Sequence, residues 1–378
     1  MKKFYKILFL SCVLFAYGCS KDTTPKPAPL VDFQQQLNVK NSWSHNIGSN
    51  IGEDYVKLNP AFSGDKIFVP DYRGTITALN RNTGKVLWKT KTKVTITSSL
   101  AANSNLVFAG TGAGEILALD QNNGQIKWSA PLTNEVLATP LALDDKVIVK
   151  TTNGQLTAFA TANGVPMWKF THEEPALVLR GSSSPKVSGN LIICGFANGE
   201  IVALNQDTGN VAWRQPIAEP NGSFAVERMV DIVADPVIKD GVIYTATYQG
   251  KIAALNLKSG AGLWTNTIST FSGLDVTNNL IIASDAYDNV SAFDRSNGDL
   301  VWQQKALANR GVTAPAVISH YVAVGDNEGY LHLMNTVNGH FVARIHVGGG
   351  GIIAQPIVDG NAIYVVTKSG SLAKYVLW

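Results

Sequence analysis

Several features that would direct a chain of 378 residues toward common kinds of chemistry are scarce or missing. It has three cysteines, and two of them, Cys12 and Cys19, fall within or just after an N-terminal leader. Only Cys194 remains for the folded part, so no intramolecular disulfide is available. Cys194 follows Leu191, Ile192 and Ile193, which marks it as a buried strand residue. The six histidines, His45, His172, His320, His332, His340 and His346, show no zinc-type spacing with each other or with cysteine. His332 and His340 read as structural residues of a strand and a turn. There is no Gly-x-Ser-x-Gly elbow, and the glycine run 348–351 lacks the Lys-Ser/Thr of a phosphate loop. Charged residues make up only 16% of the chain. Once Lys2, Lys3 and Lys6 leave with the leader, basic and acidic residues balance at 28 each, which argues against a nucleic-acid partner. The one strongly apolar run, Ile7–Phe15, is too short to span a bilayer.

That run lies between Lys2-Lys3 and Ala16-Tyr17-Gly18-Cys19, the layout of a secretory signal over residues 1–18. A cysteine directly after the small residue Gly18 resembles a bacterial lipobox, although Ala16 stands where that motif usually has Leu. The resemblance implies that Cys19 is acylated and becomes the first mature residue. Ser20 at the next position implies sorting to the outer membrane. Residues 19–36, with Pro25, Pro27 and Pro29, read as a lipidated cysteine and a flexible linker.

Beyond the linker the chain repeats. Gly84 is followed four residues later by Trp88, and the spacing recurs at Gly124/Trp128, Gly164/Trp168, Gly209/Trp213, Gly260/Trp264 and Gly298/Trp302. A seventh copy, Gly339/Ala343, has lost its Trp. Before each of the six Trp copies stands an Ala-Leu or Ala-Phe pair, as at Ala78-Leu79 and Ala158-Phe159. Four residues before most of those alanines lies another glycine: Gly74, Gly114, Gly154, Gly199 and Gly250, with Asp288 in the sixth copy. Apolar β-rich runs separated by these turns make four antiparallel strands per roughly forty residues, the size of a propeller blade. Pro140, Pro185, Pro236, Pro315 and Pro356 fit the start of a first strand, where proline is tolerated. The glycine supplies the turn's positive φ, and the Trp is expected to pack between neighbouring blades.

The C-terminal runs Ala362–Val366 and Ser371–Val376 have no Gly-x-x-x-Trp after them. Asn41-Ser42-Trp43-Ser44 at the other end supplies the missing outer strand. The expected architecture is all-β, an eight-bladed propeller over residues 37–378 with four-stranded antiparallel blades. Trp43 completes the last blade, and closure removes the exposed sheet edges. Successive Trp residues are 40 apart from Trp88 to Trp168, then 45 to Trp213 and 51 to Trp264. The surplus falls in Thr171–Ser184 and Ala218–Asp231, and in repeat proteins such insertions often build the binding face.

Tryptophan-docking repeats of this kind resemble those of quinoprotein dehydrogenases. Those enzymes bind pyrroloquinoline quinone under adjacent cysteines, with a Glu/Asn/Asp set holding calcium. The chain has no Cys-Cys pair and no acidic cluster with calcium-loop spacing. Catalysis by a quinoprotein-like oxidoreductase is therefore the alternative reading, as is a periplasmic propeller for some other ligand.

Three stretches carry a more specific resemblance: Val324–His332 continuing through Gly339–Ala343, Leu177–Gly181 and Glu227–Asp231. They are similar to the BamB family, the lipoprotein subunits of the β-barrel assembly machinery of Gram-negative outer membranes. The first looks like that family's seventh blade, down to the missing Trp at 343. The resemblance implies a non-catalytic scaffold without a cofactor, anchored by Cys19 and facing the periplasm. Its partners would be the POTRA domains of BamA, the other subunits of the machinery, and unfolded barrel proteins as clients. It also implies a binding set of Leu177, Leu179, Arg180, Arg228 and Asp231. The family's Asp-x-Asp is matched at Asp231 but not at Val233.

Overall fold

The computed structural model describes residues 25–48 and 56–378. Among them 32 strands form eight antiparallel sheets of four, arranged as the eight blades of a closed propeller. Blade 1 comprises Ala61–Ser63, Lys66–Pro70, Thr75–Asn80 and Val86–Lys91, counted from the central axis outward. Blade 8 takes Ile357–Asp359, Ala362–Val366 and Ser371–Leu377 from the end of the chain and its outer strand, Val39–Asn46, from the beginning. The ring thus closes through Trp43, as the repeat count requires. The five prolines named above each immediately precede a first strand, where no amide is needed in the ladder.

The repeat signature is a single packing device. In blades 1 to 6 the Trp of the outer strand stands opposite the Ala of the third strand, as Trp88 does opposite Ala78 and Trp213 opposite Ala203, so the small residue leaves room for the indole. The pairing slips by one residue just before the Trp, a bulge that turns Leu87, Met167, Leu263 and Val301 outward. The indole then lies on the next blade. Trp88 covers Gly124, Trp128 covers Gly164, and the series runs on to Trp302 over Gly339. A Cβ on any of these glycines would sit 2.4–2.7 Å from the nearest ring atom. The glycines also have φ between 70° and 81°, so the motif needs glycine for two independent reasons, of which only the backbone one is readable from spacing. Each ring is pinned further by its Nε1–H, which donates to the carbonyl three residues before the glycine. Examples are Trp88 to Gln121 at 3.0 Å and Trp302 to Thr336 at 2.8 Å. Burial is shared across each seam: Ile76 and Ala78 of blade 1 pack with Val107, Leu117 and Leu119 of blade 2.

This geometry accounts for Ala343. A Trp there would need the turn between the third and outer strands of blade 8. No such turn exists, because those two strands come from opposite ends of the chain. Leu37 is buried in the gap instead, against Val342, Ala343 and Tyr375. The third strand of blade 7 carries Leu333 opposite Ala343 where blades 1 to 6 carry alanine, so bulk has moved across the sheet.

Gly250 departs from the upstream glycine series: Gln249 holds the left-handed turn position of its blade, at φ 48°, and Gly250 begins the strand. Asp288 replaces glycine with φ retained at 64°, and its carboxylate accepts the amides of Gly311 and Val312 in the next connection. The expected flexible linker over residues 19–36 also ends early, for Ala28 to Leu37 is strapped to blade 7. Ala28 N–H donates to Ala308 O, and Gln36 and Leu37 both donate to Val342 O. Phe33 stacks on Phe341 at 5.6 Å, and Arg344 lies over both rings and donates to Val31 O. Arg310, almost fully buried, holds Ala28 O from within an ion pair to Asp326 and Glu328. Burial pushes the Asp326 carboxyl up, but His332, the Tyr330 amide and Arg310 outweigh it and hold it below the usual range. Residues 1–24, including the expected signal and Cys19, lie outside the described residues.

The docking geometry separates two glycines that share a positive φ. Gly189→Ala, with nothing near its Cβ, should cost about 1 kcal/mol for backbone conformation alone. Gly124→Ala should cost a further ~1–3 kcal/mol for displacing the Trp88 ring, measured by denaturant unfolding. Restoring the repeat consensus with Ala343→Trp should destabilise by about 1–3 kcal/mol in the same assay, because Leu37 and Leu333 fill the space and no turn receives the indole.

Candidate partner-binding face

In a four-stranded antiparallel blade, the connections between blades and the turns between second and third strands emerge on one face. The Gly-x-x-x-Trp turns emerge on the other. Both long insertions are therefore on the face opposite the docking turns. The first joins Pro166–Thr171 to Lys186–Ser188, and the second joins Val211–Pro216 to Val237–Lys239.

The two insertions are built onto blade 4 and onto each other. The first begins with buried His172, whose ring stacks on Phe196 at 4.0 Å and bonds Glu200 at 2.9 Å. Glu174 then accepts the Ala197 amide. The second is held from below by buried Met229, Val230 and Ile232, and by hydrogen bonds from Ile232 N–H to Phe196 O and from Tyr248 N–H to Asp231 O. Across the seam, Leu179 N–H donates to Asp231 Oδ1 at 2.8 Å. Gly181 lies so close to Val233 that a Cβ would stand 2.5 Å from its Cγ1.

Of the five expected binding residues, Leu177, Arg180 and Arg228 are exposed and Leu179 is half-buried. Arg180 reaches the connection between blades 2 and 3, where its Nη2 lies 3.3 Å from Glu135 Oε1. Asp231 differs from the surface contact that the resemblance implies, being only 2% exposed. Its one hydrogen bond in from the neighbouring insertion makes it a clamp that sets Leu179 and Arg180 at their height. Burial pushes its carboxyl up, and the Leu179 amide pulls it partway back. Its Oδ2 is buried with no hydrogen-bond partner among the described residues. Val233 packs under Gly181, so it closes the seam where the family's second acid would stand.

Leu179, Arg180 and Val233 also form part of the wall of the axial channel, a cavity of about 310 Å³. Inside it Asp235 accepts Ser184 N–H and pairs with Lys186, and Asp275 accepts Val317 N–H, so these carboxylates staple one blade to another. Lys57 crosses the axis, its Nζ 3.4 Å from the carbonyls of Phe271 and Ser272 on the far side. Removal from water lowers its pKa, with Asp235 opposing. Cys194, fully buried, has its thiol pushed up to about 12 by burial. Among the described residues no group of three or more His, Cys, Asp or Glu comes together to hold a metal.

Insertion length pointed to this face, and motif resemblance to its residues. Neither pointed to Glu135, which lies in a connection of ordinary length, and insertion length enclosed Phe224 and Val226, exposed at the tip of the second insertion, without singling them out. Nothing in the spacing distinguishes those two from core residues.

The family model described as outer membrane protein assembly factor BamB matches residues 40–107, 72–304 and 286–376. The chain is 42% identical over 376 residues to the protein of that name from Legionella pneumophila (strain Paris), covering 97% of this chain and 98% of the other. It is 43% identical over 370 residues to the one from Pseudomonas aeruginosa, covering 97% of each. The crystal structure of BamB from Moraxella catarrhalis superposes with a TM-score of 0.83 at 25% identity, over 90% of this chain and all of that one. A europium-containing methanol dehydrogenase superposes at 0.73 with 14% identity, over 89% of this chain and 93% of the other, and shares the fold alone.

Removing the clamp should be felt at the seam. Asp231→Ala leaves the buried Leu179 amide without its acceptor and should destabilise the chain by about 1–3 kcal/mol in denaturant unfolding. Amide hydrogen exchange should rise first in residues 176–182.

Proposed function

The chain belongs to the family of outer membrane protein assembly factor BamB, and we propose that it works as a non-catalytic scaffold subunit of the outer-membrane β-barrel assembly machinery. On this reading the insertion face docks on the POTRA domains of BamA, with Leu177, Leu179, Arg180 and Arg228 as its contact residues and Asp231 as their support. The observation that carries the reading is the locking of the two insertions to each other, which holds Leu177 and two arginines outward with Leu179 half-buried beside them. A few such anchors on a preorganised surface supply most of the energy of a protein interface.

The non-catalytic assignment has its own support. The Cys194 thiol is buried and inert, and the channel carboxylates Asp235, Asp275 and Asp288 are committed to backbone amides of other connections. The leader over 1–18 would be removed and Cys19 acylated, placing the propeller in the periplasm at the outer membrane. Nine residues separate Cys19 from Ala28, the first strapped residue, so the strap can stand at most about 30 Å from the lipid.

The test is co-purification of BamA with the full-length chain. Leu179→Glu combined with Arg180→Ala should reduce recovery by at least ~10-fold while leaving thermal unfolding unchanged. Undiminished recovery with that double variant would remove the site assignment.

A further inference from the structure

Two groups of exposed large apolar side chains stand out among the described residues, with Val31, Tyr287, Val337 and Trp378 exposed singly elsewhere. Leu87, Met167, Leu263 and Val301 are the outward bulge residues of the repeat and recur from blade to blade. Leu177, Val178, Phe224 and Val226 have no such place in the repeat and all lie in the two insertions. Phe224 is 71% exposed and Val226 59%, more than either residue of the first insertion.

A phenyl ring left in water on a loose loop would fold back onto the nearest apolar surface. This loop is built to prevent that. Glu227 Oε2 accepts the amides of Ser223 at 2.8 Å and Phe224 at 3.1 Å. Return bonds run from Glu227 N–H to Phe224 O and from Arg228 N–H to Ala225 O. Gln249, in a turn of blade 5, donates its side-chain amide to Val226 O. Gly222 has φ 131° and lies where a Cβ would collide with the Glu227 side chain, so the loop can close over that carboxylate only with glycine there. Met229 is buried beneath. The Arg228 side chain beside this tip makes no hydrogen bond or ion pair with the described residues. A rigid loop has already lost the entropy that binding would otherwise cost, which is what a preorganised anchor requires.

We propose that Phe224, together with Val226, is a second apolar anchor of this docking face. It seats in an apolar pocket of the same protein partner, beside an acidic group that receives Arg228. Glu227 is the positioning residue that holds the ring outward. The inference rests on the docking reading given above and adds to it a contact outside the residues that reading names.

The experiment measures Kd between the full-length chain and detergent-solubilised BamA. Phe224→Ser should weaken binding roughly 10- to 30-fold, as for an interface hot spot. Glu227→Ala should weaken it by a smaller factor, and Glu227→Gln, which keeps an acceptor for both amides, should restore it. Combining Glu227→Ala with Phe224→Ser should be no worse than Phe224→Ser alone, an outcome that general loss of structure would not give. An unchanged Kd for Phe224→Ser, with binding lost in the Leu179→Glu/Arg180→Ala variant, overturns this inference and leaves the docking reading intact. Wild-type binding by the latter variant removes both. Co-sedimentation with phosphatidylglycerol/phosphatidylethanolamine vesicles that falls on Phe224→Ser, at constant Kd for BamA, assigns the tip to the bilayer and also overturns it.

Discussion

One indole resting on one glycine holds one blade to the next at seven of the eight seams, and most of the molecule follows from that contact. The ring must be large enough to bridge two twisted sheets. The glycine must lack a Cβ and take a positive φ, and the indole N–H must find a carbonyl three residues upstream of that glycine. The residue opposite the Trp must be small, and the strand must bulge to aim the ring. A chain this long escapes the size limit of a single core because each blade buries its apolar surface only against its neighbours. The docking contact also divides the molecule into two faces. One is committed to glycine turns and indoles. On the other, connections can lengthen without disturbing any seam, and there the two insertions have grown.

The repeat was legible because this contact constrains two residues at fixed spacing in a single strand-turn unit. The closing role of Trp43 was legible because a ring leaves one strand unaccounted for. The meaning of Ala343 was not. Its cause is the absence of a turn in the next blade, which appears only once both chain ends are seen in the same sheet. The strap over 28–37 was hidden for a different reason. Three prolines in a polar context read as linker, and the groups that fasten it, Arg310, Arg344 and Phe341, lie about three hundred residues away.

The binding face shows the same division between local and distant signals. Insertion length placed it, since extra residues in a regular repeat have to go somewhere. Depth was beyond reach: Asp231 looks like any loop carboxylate in the sequence, and only the neighbouring insertion's Leu179 amide explains why it is buried. Phe224 lay within a stretch that insertion length marked, but nothing local distinguished it; its outward ring follows from a carboxylate three residues on that folds the backbone of the tip.

The seam that closes the ring differs from the other six indole contacts. Trp43 covers Gly84 as its counterparts do, but its Nε1–H is buried without an acceptor among the described residues. By analogy that acceptor would be the carbonyl of Arg81, and Lys374 points its ammonium toward that oxygen instead. Lys374 also occupies the place opposite the Trp that alanine holds elsewhere. The indole of the closing strand is therefore the least well fastened of the seven, although its strand is the longest outer strand, and it is also the strand through which the chain leaves toward its N-terminus. Tension arriving from that end meets Ala28 on Ala308 and Arg310 first, then the Arg344–Phe33 stack, then Leu37 in its pocket, before it reaches Val39. Blade 7 gave up its docking Trp and gained this strap in return. On the proposed acylation of Cys19, the substitution that looks like a defect in the repeat is the place where the chain is held before it reaches the one sheet made of both chain ends.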